Sequence, residues 1–255
     1  MKRSFTQEGF LKILEHFIRS RVYLYIFFRK LCLVFGIFEK DFKYLKNIFY
    51  DKKINIIDIG ASDGISVKFF LNNLNVKKIY CYEPHLLYQR QLQKLKKFRN
   101  YINKIKVFNY GISTRKSKKK VYYPIYNFLK FNFSLLSYTF YSKKDLIDQV
   151  NLDFKKELCI RSTYFYLNKL RIINKKIDFI KIDTNGYEQI IVTSLIPQIK
   201  KDQPVLVIEN NNNNYLKIFN ILKNNYKKYY IKNNKIYTHS NQDCTNIFYI
   251  PKKFI

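Results

Sequence analysis

The chain has 255 residues, with 48 Lys+Arg against 18 Asp+Glu for a formal charge of +30, and 47% of it is hydrophobic, including 23 Phe and 23 Tyr. That apolar fraction excludes a disordered tail, and the length suits one large domain, or one domain with an N-terminal extension. Cys32, Cys81, Cys159 and Cys244 stand far apart without a CxxC pair, so neither a disulfide framework nor a zinc site is suggested and a reducing compartment fits best.

Lys, Asn, Ile, Phe and Tyr run high together while Ala61 is the only alanine, the signature of A+T-rich codons. Much of the lysine excess follows from that bias, and the run Arg115, Lys116, Lys118, Lys119 and Lys120 reads as a solvated loop or hairpin, or else as a phosphate-binding patch. Residue types that the bias suppresses carry more information. Of six glycines, Gly60, Gly64, Gly111 and Gly186 each lie at or just after the end of an apolar, β-branched run, where a turn needs positive φ or close approach to a ligand. Asp58, Asp63, Glu83, Asp183, Glu188 and Glu209 collect at the same ends.

Residues 1 to about 50 are aromatic and basic, with Phe10, Leu14, Phe17 and Ile18 at helical spacing, followed by apolar runs at Val22–Phe28 and Leu31–Phe38 split by Arg29-Lys30. Neither run reaches the roughly 18 apolar residues that span a bilayer. No small-residue cleavage site follows a single apolar core, which argues against a secretory signal. Two readings stay open: a monotopic helix on an anionic membrane surface, or a pair of helices covering one edge of the domain.

From residue 54, short apolar runs alternate with helix-like segments, the pattern of a parallel sheet wrapped by crossover helices. Strands are predicted at Ile54–Ile59, Lys78–Tyr82, Ile105–Tyr110, Ile177–Asp183, Pro204–Glu209 and Ile247–Pro251, and helices near Gly64–Asn73, Leu86–Phe98, Tyr187–Leu195 and Tyr215–Asn224. Ligands of such sheets sit beyond the carboxyl ends of the strands. The stretch 112–170 is too long for a bare loop, and predicts an inserted hairpin with either a substrate-facing segment or a structural cover. Asn210 to Asn214 reads as a polar turn.

The run Ile54 to Ile59, then Gly60-Ala61-Ser62-Asp63-Gly64, is a buried strand closed by a turn that brings backbone close to a nucleotide-like ligand. The dinucleotide spacing G-x-G-x-x-G is absent, since Ser62 and Ile65 occupy the later positions. Asp63 would also sit where a pyrophosphate needs the positive end of the helix dipole. A cationic ligand without phosphate suits Asp58 and Asp63 better, and S-adenosylmethionine (SAM), with its sulfonium and ammonium, is such a ligand. About 20 residues on, Glu83 at the end of Tyr80-Cys81-Tyr82 can grip both ribose hydroxyls, and Asn109-Tyr110-Gly111 ends the third strand near the adenine. As alternatives, Asp58 caps the loop and Glu83 the following helix.

These residues resemble a class I SAM-dependent methyltransferase, and the segment Ile177-Asp178-Phe179-Ile180-Lys181-Ile182-Asp183-Thr184-Asn185-Gly186-Tyr187-Glu188 resembles the "iDliKiDvEGyE" signature of the FkbM family. Pro204 to Glu209 is similar to that family's P-x-x-x-x-E strand, and Thr245 to Pro251 to its closing strand. The likeness covers about residues 52–253. Asn185 stands where the family usually has Glu, and Thr163-Tyr164-Phe165 where it more often has TLD. The resemblance implies an α/β, Rossmann-like sheet with helices on both faces over 51–255; it does not reach the basic, aromatic helical extension read over 1–50. It implies cofactor contacts at Asp58, Gly60, Asp63, Gly64 and Glu83, with Asp183 near the transferring methyl, and O-methylation of a sugar, glycan or small metabolite.

A hydroxyl acceptor benefits from a base; Asp183 is the first candidate and Glu188 or His85 the second. No Asp/Asn-Pro-Pro-aromatic tetrapeptide or Pro-Cys dipeptide is present for base methylation, and no metal is expected. An RNA methyltransferase using the basic surface and a catalytically silent adapter at a membrane are the alternatives. The expected location is cytoplasmic, or peripheral at the inner membrane face.

Overall fold

The computed structural model describes residues 22–35, 37–128, 131–134, 142–144, 146–147, 158–184, 186–210, 215–232, 235–238 and 244–254. The predicted helical spacing of Phe10 to Ile18, Asn185 and the tract 211–214 lie outside them. The described helices are α1 (Val22–Phe35), α2 (Leu45–Phe49), α3 (Ile65–Asn73), α4 (Leu86–Lys96), α5 (Glu188–Asp202) and α6 (Tyr215–Leu222), with 3-10 turns at Lys40–Tyr44 and Lys252–Phe254. The strands are β1 (Ile54–Ile59), β2 (Val76–Tyr82), β3 (Ile105–Phe108), β4 (Gly111–Ile112), β5 (Ser117–Phe128), β6 (Phe131–Ser134), β7 (Leu158–Asn168), β8 (Phe179–Ile182), β9 (Val205–Glu209), β10 (Tyr226–Lys232), β11 (Lys235–Tyr237) and β12 (Asn246–Pro251).

The described residues fall into two compact units, one within 1–35 and 120–164, the other within 36–119 and 165–255. The larger unit is built on an eight-stranded sheet in the order β11-β10-β12-β9-β8-β1-β2-β3. β1 pairs in parallel with β2 and β8, β2 with β3, and β8 with β9, whereas β12 runs antiparallel to both β9 and β10. From β1 the chain winds outward through β2 and β3, then returns to the other side of β1 as β8 and β9. The switch point therefore lies between β1 and β8, and a crevice opens beyond their carboxyl ends.

All six residues of β1 are buried, as a strand covered on both faces requires. The period of two sends alternate side chains into two cores. Ile54, Ile56, Phe179, Val205 and Val207 join Val67 and Phe70 of α3, while Ile57, Ile59, Ile180, Leu206 and Ile208 join Ile191, Val192 and Leu195 of α5 with Ile218 and Leu222 of α6. Phe42, Leu45 and Phe49 pack into the first core, so the segment ahead of β1 folds with the sheet. The expected α/β fold with helices on both faces is what the chain adopts, and helix α1 lies in its N-terminal segment.

Several elements differ from the sequence expectation. α5 continues through Pro197 to Asp202 and stops at Gln203, which adopts φ +48°. Its last turn is held by Asp202, whose Oδ2 accepts the Ile177 N–H at 2.9 Å. The third predicted strand breaks after Phe108, and Gly111–Ile112 pairs instead with Leu167–Asn168 of β7. β10, with three Lys and three Tyr among its seven residues, escapes a strict alternation because its burial is uneven. In the smaller unit, residues 125–128 and 131–134 of β5 and β6 pair as an antiparallel hairpin.

Candidate cofactor and catalytic site

The turn after β1 carries three left-handed residues, Gly60 (φ +77°), Ser62 (+49°) and Gly64 (+87°). At Gly60 the need for glycine is also steric, since a Cβ would lie 1.9 Å from the Asp183 carbonyl oxygen. Backbone from β1 and from the end of β8 therefore touch at this point. Gly60 N–H donates to the Tyr82 carbonyl (3.0 Å) and Gly64 N–H to that of Ala61 (3.0 Å). Gly64 then starts α3 without a side-chain cap, while Asp63 Oδ1 accepts the Ile65 N–H at 3.3 Å.

Asp58 lies beneath this turn and is wholly buried. Ser66 Oγ donates to its Oδ2 at 2.6 Å, and Lys181 Nζ lies 3.4 Å from its Oδ1. Burial raises its pKa, against the pull of Lys181. The charge of Asp58 is thus answered from inside the protein, and the residue supports the turn from below.

Glu83 follows β2. Its Oε2 accepts the Ser62 N–H (2.9 Å) and its Oε1 the His85 N–H (2.8 Å), so the carboxylate bridges the turn after β1 and the start of α4. Burial pushes its pKa up to about 7, against those two hydrogen bonds. His85 caps α4 by accepting the Leu87 N–H at Nδ1, and burial lowers its pKa to about 4. Gly111 packs against Pro84, and a Cβ there would lie 2.8 Å from Leu167 Cδ2.

On the other side of the switch point, Lys181 is the residue that sequence reasoning missed. It follows Phe179 on the same face of β8 and is 3% exposed. Its ammonium meets Asp58 Oδ1, Asp183 Oδ2 (3.1 Å) and the Gly60 carbonyl (3.4 Å). Burial works against its charge, but Asp183 and Asp58 outweigh it and hold the pKa above the usual lysine value. The available signal was the K-x-D spacing itself, which puts Lys181 and Asp183 on one face of the strand.

Asp183 keeps 37% of its side chain exposed, and its N–H donates to the Ile59 carbonyl. Glu188 behaves differently. It is fully buried, and its Oε1 accepts from Thr184 N (3.1 Å), Thr184 Oγ1 (3.0 Å) and Gly186 N (3.0 Å), which shapes the loop between β8 and α5. One strand over, Ile182 pairs with Ile208 and Asn246 with Glu209, so the register sets Asp183, Glu209 and Asn246 along one rim. Asn246 Nδ2 donates to both Glu39 and Asp41. Burial and the neighbouring Asp183 and Glu188 raise Glu209 to about 8; burial and Asp41 raise Glu39 to about 7.

The structure therefore brings Asp58, Gly60, Asp63, Gly64, Glu83 and Asp183 to the carboxyl ends of β1, β2 and β8, with Gly111 beside Pro84 and Glu188 inside the following loop. The residues present fit SAM. Gly60 and Gly64 leave a Cβ-free turn, Glu83 is held by two backbone N–H groups, and carboxylates outnumber Lys181 around the crevice, a field that suits a sulfonium and an ammonium.

A methyltransferase FkbM from Methylobacillus flagellatus KT superimposes with a TM-score of 0.50 at 16% identity, covering 77% of this chain and 43% of that one. The chain thus spans less than half the length of that protein. A SAM-dependent methyltransferase from Aquifex aeolicus gives 0.42 at 11% identity, covering 82% and 88% of the two chains. Aeropyrum pernix fibrillarin with natively bound SAM gives 0.40 at 10% identity, covering 77% and 65%. No curated protein sequence matches. Residues 58–229 match the methyltransferase FkbM domain, which is more than half of the chain and spans the turn after β1, Glu83, Lys181, Asp183 and Glu209. The chain belongs to the methyltransferase FkbM family.

Proposed function

We propose that the chain methylates a hydroxyl of a sugar, glycan or small metabolite. The observation that carries this reading is the rim of Asp183, Glu209, Glu39 and Asp41 beside the cofactor turn, joined by Asn246. Carboxyl and amide groups of this kind hold hydroxyl groups by hydrogen bonds, whether or not Glu209 and Glu39, raised to about 8 and 7, carry their protons, and these four acids give the phosphates of RNA no cationic partner despite the +30 of the whole chain. The rim therefore supports a polyhydroxylated acceptor over a nucleic acid.

Bound SAM supplies an electrophilic methyl group on a sulfonium. Glu83, Gly60, Gly64 and Asp63 would hold it, with Gly111 closing the far side of Pro84. Orienting acceptor oxygen and methyl carbon in line contributes effective molarities of order 10⁵ M or more. In this reading Asp183 accepts the hydroxyl proton, a contribution of about 10²–10⁴-fold, and Lys181, 3.1 Å from its Oδ2, steadies its carboxylate. Glu188 acts as a positioning residue for the Thr184–Gly186 loop.

The test begins with calorimetric titration by SAM and, separately, NAD, repeated for Glu83→Ala. SAM binding that the substitution weakens by at least tenfold (about 1.4 kcal/mol) supports the reading, and binding of NAD alone overturns it. Methyl-labelled SAM is then offered with a panel of sugars and nucleotide-activated sugars and with total RNA. Label recovered as a methyl ether is the expected result; label in RNA overturns the acceptor class.

A further inference from the structure

Helix α1 exposes the wrong face for a helix that ends in water. Phe27 is 56% exposed, Phe28 43%, Val34 61% and Phe35 68%, and Leu31 between them is half-buried. Positions 27, 28, 31, 34 and 35 follow the i, i+1, i+4, i+7, i+8 spacing of one helical stripe, so solvent meets a continuous apolar face. Lys30 is exposed at its flank. The stripe of a soluble helix that faces water is normally polar, and isolated exposed apolar residues need no explanation whereas a contiguous run of them does.

We propose that α1 lies in the interface of an anionic lipid bilayer, its Phe27, Phe28, Leu31, Val34 and Phe35 face immersed among the headgroups and upper acyl chains. Two features select this occupant. The apolar runs Val22–Phe28 and Leu31–Phe38 are split by Arg29-Lys30 and neither reaches the roughly 18 apolar residues that span a bilayer, so the proposal sets the helix along the membrane rather than through it. Consistent with that, no helix among the described residues is long and apolar enough to cross a membrane. The second feature is charge. A formal charge of +30 attracts anionic headgroups, whereas a second copy of this chain docked on the same stripe would bring another +30 against it. The membrane contact is separate from the acceptor reading and stands or falls without it.

The chain contains no tryptophan, so Phe35→Trp introduces a sole indole reporter on the stripe. The full chain carrying it is mixed with vesicles of phosphatidylcholine, with and without phosphatidylglycerol, and followed by sedimentation and indole emission. Co-sedimentation with the anionic vesicles, a blue-shifted emission on binding and release by added salt are expected. Phe27→Glu with Phe28→Glu, checked for an unchanged thermal midpoint, should weaken binding by about tenfold for each phenylalanine removed. Three results overturn the proposal: no co-sedimentation with anionic vesicles at low salt, binding without an emission shift or without loss in the double variant, and a lipid-free dimer that the double variant dissolves.

Discussion

Lys181 and Asp58 form an ion pair between adjacent strands, Nζ to Oδ1 3.4 Å, with 4% and 0% of their side chains exposed. The same ammonium reaches the Gly60 carbonyl and Asp183, so one buried cation ties the cofactor turn to the end of β8. Replacing it by Lys181→Met leaves Asp58 buried without a counter-charge, at a cost of about 3–5 kcal/mol. Adding Asp58→Asn should return part of that loss, and chemical denaturation of the four species in the cycle reads the coupling directly.

Gly60→Ala and Gly111→Ala should differ sharply. At Gly60 the new methyl meets backbone, the Asp183 carbonyl at 1.9 Å, in a left-handed conformation that itself costs about 1–2 kcal/mol. At Gly111 the nearest obstacle is Leu167 Cδ2 at 2.8 Å, the far end of a flexible side chain. The Gly60 variant is expected to lose SAM binding or to unfold, and the Gly111 variant to stay folded with weakened binding; melting curves with and without SAM separate the two.

Glu188→Ala removes the acceptor of three hydrogen bonds in a fully buried place and should destabilise the chain by about 3 kcal/mol. Glu188→Gln keeps one carbonyl oxygen at the same reach and should lose far less. Equal losses in the two variants, measured by denaturant titration, would show that the loop does not depend on that oxygen.

Proton linkage gives a further expectation. Glu39, Glu83 and Glu209 have folded-state pKa values raised to about 7, 7 and 8. The stability they contribute is present at low pH and is lost as pH rises through those values. His85, lowered to about 4 by burial, opposes this only below its unfolded value of about 6.5. The melting temperature of the ligand-free chain should therefore fall between pH 6.5 and 8.5. Because ribose hydroxyls bond to the ionised Glu83, SAM binding near pH 7 should release a proton, seen calorimetrically as a heat that varies with the buffer.

The parallel core was legible because its strands are continuous apolar runs: Ile54–Ile59 is found with the limits its residues imply, and Pro204–Glu209 and Ile247–Pro251 shift by one residue at one end. The strand Tyr226–Lys232 was not, since its lysines mask the pattern. That Gly60 and Glu83 meet beside the crevice could be read from their position at strand ends. Lys181 was masked despite its K-x-D spacing, because in a chain with 48 basic residues a lysine in an apolar run looks like codon bias until its two carboxylates are seen. Glu39 and Asp41 were equally hidden, as their place beside Asn246 depends on contacts across more than 200 residues.

The strand order also dictates when this fold can form. β12 is inserted between β9 and β10, both of which precede it in the chain. During synthesis, the turn after β1, Glu83 and Asp183 all leave the ribosome while the sheet is still split into two ribbons, with the edges of β9 and β10 unpaired. Residues 246–251 join them, and Asn246 then gathers Glu39 and Asp41 from the far end of the sequence. Translation that stalls before this strand would release a chain holding the cofactor-binding residues but two open, apolar sheet edges, a substrate for chaperones and proteases rather than an enzyme.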